Sequence, residues 1–344
     1  MANILILGAG SMGTAFSFPC SDNNHEVIII GTHLENNFID QINSTRKHPA
    51  LDCEVEKNVK FLKFDQLDKE INKKIDLIVI AVVSKGIEWA SNEISKVLKK
   101  NVPILILTKG LAINNNNYEI FAHKMERLFK KNGIKETNIS AVGGPCLAKN
   151  LANKAHTAVV FANKDVKEAK KISKLVSTDY YHVSTSNDVV GVEICAAIKN
   201  IFAMAVGASQ GLCEANKSKE KNYLNTAATL IQESIYEMIT FVEKLNGKKE
   251  TVIGLAGIGD LYVSADGGRN SKMGEYLGQG MSFNEAKKIK MPNDTIEGAD
   301  LAIEIGSKVK SDFDEKTLPL MLSVIDTICD KKPLRINWKN FKQI

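Results

Sequence analysis

Six cysteines in 344 residues include no CxxC pair and no metal-type spacing against the six histidines. That excludes a sequence-encoded zinc module and a disulfide scaffold, so free thiols in a reducing compartment and no metal are expected. Charge of one sign is not in excess: 45 basic and 40 acidic residues leave +5, and lysines lie scattered in surface-like stretches such as KEAKKISK. No nucleic-acid partner is expected from such a surface. No apolar run approaches the roughly 18 residues of a membrane helix, and no leader-like segment precedes the first strand. A cytoplasmic protein with no integral membrane part is the expectation. Repeats and low-complexity tracts are missing, apart from INNNN at 113–117, read as a loop. What remains is ordinary globular composition, 44% hydrophobic and 25% charged, in a chain long enough for about two domains.

The first sixteen residues after Ala2 carry a signal. The short apolar run Ile4 to Leu7 reads as a strand and leads into Gly8-Ala9-Gly10-Ser11-Met12-Gly13, followed by a helical pattern. Gly8 permits a tight turn, Gly10 lets a bulky anion approach the backbone, and Gly13 lets the helix sit close to the strand. Free N–H groups at that helix start suit a pyrophosphate. A glycine-containing loop without a ligand is the plain alternative. The strand–glycine–helix context favours a dinucleotide-binding turn.

Strand and helix signals alternate through the first half. EVIII (26–30), VKFLKF (59–64), IDLIVIAV (75–82), VPILILT (102–108) and NISAVGGP (138–145) read as strands, and HTAVVFA (156–162) extends the set. Their near-continuous hydrophobicity is that of a parallel sheet covered on both faces. A doubly wound α/β (Rossmann) domain over 1–188 is predicted. From 189 to 244 the pattern is helical, with further helices over FNEAKKIK, 299–309 and 317–331. An all-helical substrate domain over 189–344 follows.

Chemistry concentrates in that second half. Lys199 stands alone as a cation within ICAAIKNIFAMAVG, a helix apolar nearly all round. A lysine is rarely buried there unless paired, and desolvation shifts its pKa down; a lysine snorkelling to the surface is the alternative. In GLAGIGDLYVSADGGRN (254–270), Gly254, Gly257 and Gly259 frame Asp260, and Gly268 precedes Arg269 and Asn270. The guanidinium fork of Arg269 fits a phosphate, and Asn270 adds neutral donors. A surface loop with turn chemistry would look similar. Lys109 in LTKG and Gly143-Gly144-Pro145 in GGPCLAKN each follow an apolar strand, at the carboxyl edge where doubly wound sheets bind ligands.

Taken in order, GAGSMG, TKG, GGPCLA, VEICAAIKN, GLAGIGDL and GGRN resemble the NAD(P)-dependent glycerol-3-phosphate dehydrogenases from residue 4 to about 330. The resemblance implies reversible reduction of dihydroxyacetone phosphate to sn-glycerol 3-phosphate, a phospholipid precursor, in a cytoplasmic homodimer. It implies Lys199 as the catalytic lysine and Lys109 and Asp260 in the substrate pocket. Arg269 and Asn270 would hold the phosphate, with Gly144, Cys146 and Gly268 also at the substrate. Cofactor contacts are implied at Gly8, Gly10, Ser11, Met12, Gly13, Thr32, His33, Lys109, Ala148, Arg269, Thr295 and Glu297. Lys199 would stabilise and protonate the carbonyl oxygen, oriented by Asp260.

The chain departs from the family pattern in four places. Val83 stands where a proline is usual, so the turn there is expected to differ. Cys146 replaces a serine, and its thiol is a weak donor. Asn150 replaces a glutamate, and LIQES (230–234) replaces ITRG. Cofactor choice rests on the second strand, which ends IIIGTHLE, with the first acid only at Glu35. Lack of an acid at the strand end tilts toward NADP, although no arginine stands there either. A ketopantoate reductase-like enzyme and a non-catalytic NAD(P) sensor are the rival readings.

Overall fold

The computed structural model describes residues 1–51, 53–98, 101–215 and 223–342. Part of the helical pattern expected over 189–244 therefore lies outside the described residues, at 216–222. The chain forms two compact units. One takes Met1–Lys109 and Ile120–Val189, the other Gly110–Glu119 and Val190–Ile344.

Apolar, β-branched runs build the sheet of the first unit: β1 (Asn3–Leu7), β2 (Glu26–Ile30), β5 (Val59–Leu62), β6 (Leu77–Ile80), β7 (Ile104–Ile106), β10 (Ile139–Gly143), β11 (Thr157–Ala162) and β12 (Tyr181–Ser186). The short pairs β3 (Lys47–His48) with β4 (Cys53–Glu54), and β8 (Leu111–Asn114) with β9 (Asn117–Ile120), lie outside it. The eight strands run in the order β12-β11-β10-β7-β6-β1-β2-β5. Helix α1 (Ser11–Asp22) packs on the sheet, with Phe16 edge-on to Tyr181 at 6.1 Å. Six further helices complete the unit: α2 (Asn36–Thr45), α3 (Leu67–Ile71), α4 (Ile87–Val97), α5 (Phe121–Lys131), α6 (Ala148–Ala152) and α7 (Val166–Val176).

The sheet departs from the fully parallel expectation at one pair: β10 and β11 are antiparallel. Between them lies only the five-residue α6, about 7.5 Å long at 1.5 Å per residue. That is too short to carry the chain back along the sheet for a parallel return. Strand β12 goes unpredicted because YHVSTS is polar and half exposed, as an edge strand can be. The INNNN stretch is not an open loop. It turns a hairpin through Asn115 and Asn116, both at positive φ (48° and 61°), the conformation that a tight two-residue hairpin turn selects asparagine for. Residues 110–119 thus group with the second unit, so its boundary is not a single cut near 188.

Helices otherwise make up the second unit: α8 (Val189–Ala215), α9 (Tyr223–Lys244), α10 (Lys249–Val252), α11 (Asp260–Ala265), α12 (Arg269–Gly278), α13 (Phe283–Ile289), α14 (Glu297–Asp312) and α15 (Pro319–Cys329). Contrary to the sequence expectation, one segment is long and apolar enough to cross a membrane: Val189–Cys213, with mean hydropathy 1.9 over an 18-residue window. That window is 89% buried inside the protein, as in the central helix of a helical domain. Helices α8 and α12 meet backbone to backbone. A Cβ at Gly207 or Gly211 would lie 2.1 Å from Ser271 O or 1.9 Å from Glu275 O, and one at Gly274 or Gly278 would lie 1.9 Å from Met204 O or 2.3 Å from Ala208 O. Two small-xxx-small pairs, one per helix, let the axes approach this closely. In the LIQES stretch, Glu233 is buried on α9, one turn before the fully buried Glu237. The Glu237 carboxylate accepts the N–H groups of Leu320 (2.6 Å) and Met321 (2.8 Å), capping α15.

Candidate active site

At the glycine turn after β1 the three glycines do different work. Gly8 has φ +111°, and a Cβ there would lie 2.6 Å from Ala81 O; one at Gly13 would lie 2.2 Å from Gly8 O. Both are held to glycine by the protein's own packing. Gly10 is not: its φ is −63° and a Cβ would meet nothing within 4 Å. Space kept clear outside a helix N-terminus, with no side-chain cap and no acid in its first turn, fits an anionic group seated on the N–H groups of Ser11, Met12 and Gly13.

Glu35, counted in the sequence only as the first acid beyond the strand end, folds back to it. Its Oε2 accepts the N–H of Thr32 at 2.7 Å and of Ala9 at 3.2 Å. A carboxylate therefore does stand at the end of β2, folded back from four residues beyond Gly31. The tilt toward NADP loses its premise there, since it counted only the residues immediately after the strand. The acid in IIIGTHLE was visible, but not its return to the strand end. His33 is exposed, its ring 5.0 Å from that of Trp89.

Lys109 follows β7 and reaches Gly144 O at 3.4 Å, at the carboxyl end of β10. Gly144 is held to glycine by φ +123° and by Val159 Cα 3.1 Å from a would-be Cβ. Cys146 is a half-buried thiol packed against the sheet core, with Ala148 beside it. Asn150 is exposed on α6. At Val83 the expected change of turn does not occur. The residue has φ −67° and ψ 159°, values that proline itself would impose.

In the second unit Lys199 lies on α8 with 7% of its surface exposed, and Asp260 is 2% exposed. Lys199 Nζ donates to Asp260 Oδ1 at 2.5 Å and to Ser264 Oγ at 2.5 Å. The lysine does not snorkel; it is paired, as a buried charge must be. The segment before Asp260 is a π-helical turn, Leu255–Gly259, rather than a loop. There Gly257 lies so close to Val252 O that a Cβ would sit 2.0 Å away. π-Turns inside helices recur at functional sites because they re-aim one side chain. Ser264, unsuspected from the sequence, follows Asp260 by four residues and so shares its helix face; that spacing was the available signal.

Asn270 ties three elements together. Its Nδ2 donates to Asn200 Oδ1 (3.1 Å) and Glu297 Oε2 (3.4 Å), and its Oδ1 accepts the N–H of Gly298 at 2.9 Å. The N-termini of α12, capped only by Gly268, and of α14 are thereby brought to the helix that bears Lys199. Arg269 is half exposed and its guanidinium is hydrogen-bonded to the Glu297 carboxylate. Thr295 is exposed just before α14. Adjacent residues on α8, Lys199 and Asn200, thus join a proton-bearing cation to an anion-favouring corner of two helix N-termini.

Residues 3–169 match the family profile described as the NAD-dependent glycerol-3-phosphate dehydrogenase N-terminus, and residues 188–337 match its C-terminus. An NADP(+)-dependent glycerol-3-phosphate dehydrogenase from Archaeoglobus fulgidus is 32% identical over 314 residues, 90% of this chain and 91% of its own. The glycerol-3-phosphate dehydrogenase structure from Coxiella burnetii superposes with TM-score 0.79 at 25% identity, covering 96% of both chains. A ketopantoate reductase from Ralstonia eutropha shares the fold more loosely, with TM-score 0.57 at 14% identity over 96% of this chain and 99% of its own. With both halves matched in order and a full-length relative above 30% identity, this chain is a member of the NAD-dependent glycerol-3-phosphate dehydrogenase family.

Proposed function

We propose that the chain reversibly reduces the ketone of dihydroxyacetone phosphate to the alcohol of sn-glycerol 3-phosphate. One observation carries the reading: a buried Lys199–Asp260 pair whose lysine shares α8 with Asn200, which Asn270 joins to the N-termini of α12 and α14. A nicotinamide cofactor, when bound, supplies or accepts the hydride; the glycine turn with Ser11, Met12 and Gly13 would hold its pyrophosphate. Lys199 carries the proton. Its Nζ faces the charge that develops on the carbonyl oxygen, donates a proton to it in reduction, and takes the alcohol proton in the reverse direction. Asp260 balances the lysine's charge, and Ser264, accepting a second hydrogen bond from Nζ, helps to orient it. Arg269 and Asn270 bind the phosphate, remote from the reacting carbon, so that binding energy goes into positioning. For Arg269 this means exchanging the Glu297 carboxylate for the substrate's oxygens. The roles of Lys109, Gly144 and Cys146 at the substrate, of Ala148 and Thr295 at the cofactor, and cytoplasmic work as a homodimer rest on the family resemblance.

The test follows the absorbance of the reduced nicotinamide with dihydroxyacetone phosphate and, separately, ketopantoate, each with NADH and NADPH. Turnover of the phosphate ester and none of the keto acid is expected. Turnover of ketopantoate alone would overturn the reading.

A further inference from the structure

Names within the family span NAD and NADP, so the choice must lie in each chain's own residues. We infer that Glu35 makes this chain select a dinucleotide whose adenosine ribose has a free 2′-hydroxyl, and reject one carrying a 2′-phosphate. The inference rests on the reading of the glycine turn as the cofactor site. Both N–H groups that anchor Glu35, from Thr32 and Ala9, fall on the single oxygen Oε2. The lone pairs of Oε1 are left to accept from ribose hydroxyls. Ala9 belongs to the glycine turn and Thr32 to the end of β2, which fixes the carboxylate between the two places where such sheets hold pyrophosphate and ribose.

Nearby charge points the same way. A 2′-phosphate needs a cation, and two basic side chains that follow β2 and β5, Arg46 and Lys63, are engaged elsewhere. Arg46 spends its guanidinium on the carbonyls of Val55, Glu56 and Val59, and Lys63 pairs with Asp40 at 2.7 Å. His48 is buried; its Nδ1 accepts the N–H of Ala50 at 3.1 Å, and burial lowers its pKa below the usual histidine value. It therefore brings no positive charge at neutral pH. A 2′-phosphate would face an uncompensated carboxylate, and like charges in register are strongly disfavoured. At the same strand ends, the rings of His33 and Phe64 each stand 5.0 Å from Trp89, an aromatic seat beside the ribose position on which a purine can stack.

Isothermal titration of the whole chain with NADH and NADPH, without substrate, tests this. NADH is expected to bind at least about tenfold more tightly, since one uncompensated like-charge contact exceeds 1.4 kcal/mol, the equivalent of tenfold. Glu35→Gln keeps the length and an acceptor oxygen for the two N–H groups, so the turn persists while the charge goes; the preference should shrink to within about threefold. Equal or tighter binding of NADPH by the parent chain overturns the inference and leaves the cofactor site standing. So does an unchanged ratio in Glu35→Gln, which would reduce Glu35 to a loop fastener. If neither nucleotide binds, the cofactor site itself is misassigned and the inference falls with it.

Discussion

At the carboxyl ends of the strands in the first unit, the groups proposed to meet the cofactor belong mainly to the main chain. They are the N–H groups at the start of α1 and a glycine whose missing side chain leaves room. Around Lys199 in the second unit the proposed site groups are side chains: Asp260, Ser264, Asn200 and Asn270, drawn from positions up to 70 residues apart along the chain. On the proposed reading the first arrangement binds a constant anionic group and needs only a local fold. The second, as proposed, performs chemistry on one substrate and needs several helices in register. Binding and turnover should therefore come apart under mutation.

The largest effect expected is at Lys199. Lys199→Met keeps the apolar stem and loses the cation, so kcat should fall by about two to three orders of magnitude, the scale of removing an oxyanion donor. Nucleotide affinity, measured by titration, should hold. A folded variant within about tenfold of parental kcat breaks the assignment, being only about 1.4 kcal/mol of barrier. Parallel loss of nucleotide binding would break the division between the units instead.

Gly10→Ala is the mirror experiment. Since its Cβ meets no protein atom, the melting temperature should not fall, yet nucleotide affinity should drop by about tenfold or more as the methyl enters the ligand's space. Unchanged affinity would mean that no anion sits there. Arg269→Lys should raise the KM for dihydroxyacetone phosphate by about fivefold, because lysine keeps the charge and loses the paired donors. Activity on unphosphorylated dihydroxyacetone should stay level; if both fall equally, the phosphate lies elsewhere.

The smallest effect is one of stability. Burial pushes the Glu237 carboxyl up to about 8, against the two N–H bonds that pull it down. Folded chain then holds a proton that unfolded chain has released. This group's contribution is full below the ordinary carboxyl range and is lost as pH rises through about 8. The melting temperature should decline between about pH 4.5 and about pH 8, and Glu237→Gln should flatten that decline. An identical pH profile in the variant would show the titration to lie in another group.

Much of the first unit was legible because its strands are continuous apolar runs and its turn is a contiguous motif. The sequence pattern failed where polarity hid structure. YHVSTS alternates like a surface segment, and INNNN looks like a loop until both central asparagines are placed at positive φ. Lys199 and Asp260 were legible singly, as charges out of place, and through the family resemblance. Ser264 and Glu35 were not, because each matters through where its chain folds back to and neither residue type is unusual where it stands. The antiparallel β10–β11 pair was foreseeable only by weighing the length of α6 against the strands it joins.

The glycine contact between α8 and α12 has a consequence for how this enzyme can change over time. Because the two helices touch through main-chain atoms, the separation between the lysine on one and the proposed phosphate corner at the start of the other is set by Gly207, Gly211, Gly274 and Gly278. Side chains on the outer faces of either helix stand away from that gauge, since at these four positions the contact is with main-chain atoms. Divergence across the outer faces is therefore cheap and leaves the catalytic spacing in place, while a single methyl at any of the four positions would wedge the site open. Tolerance and intolerance lie one helical turn apart.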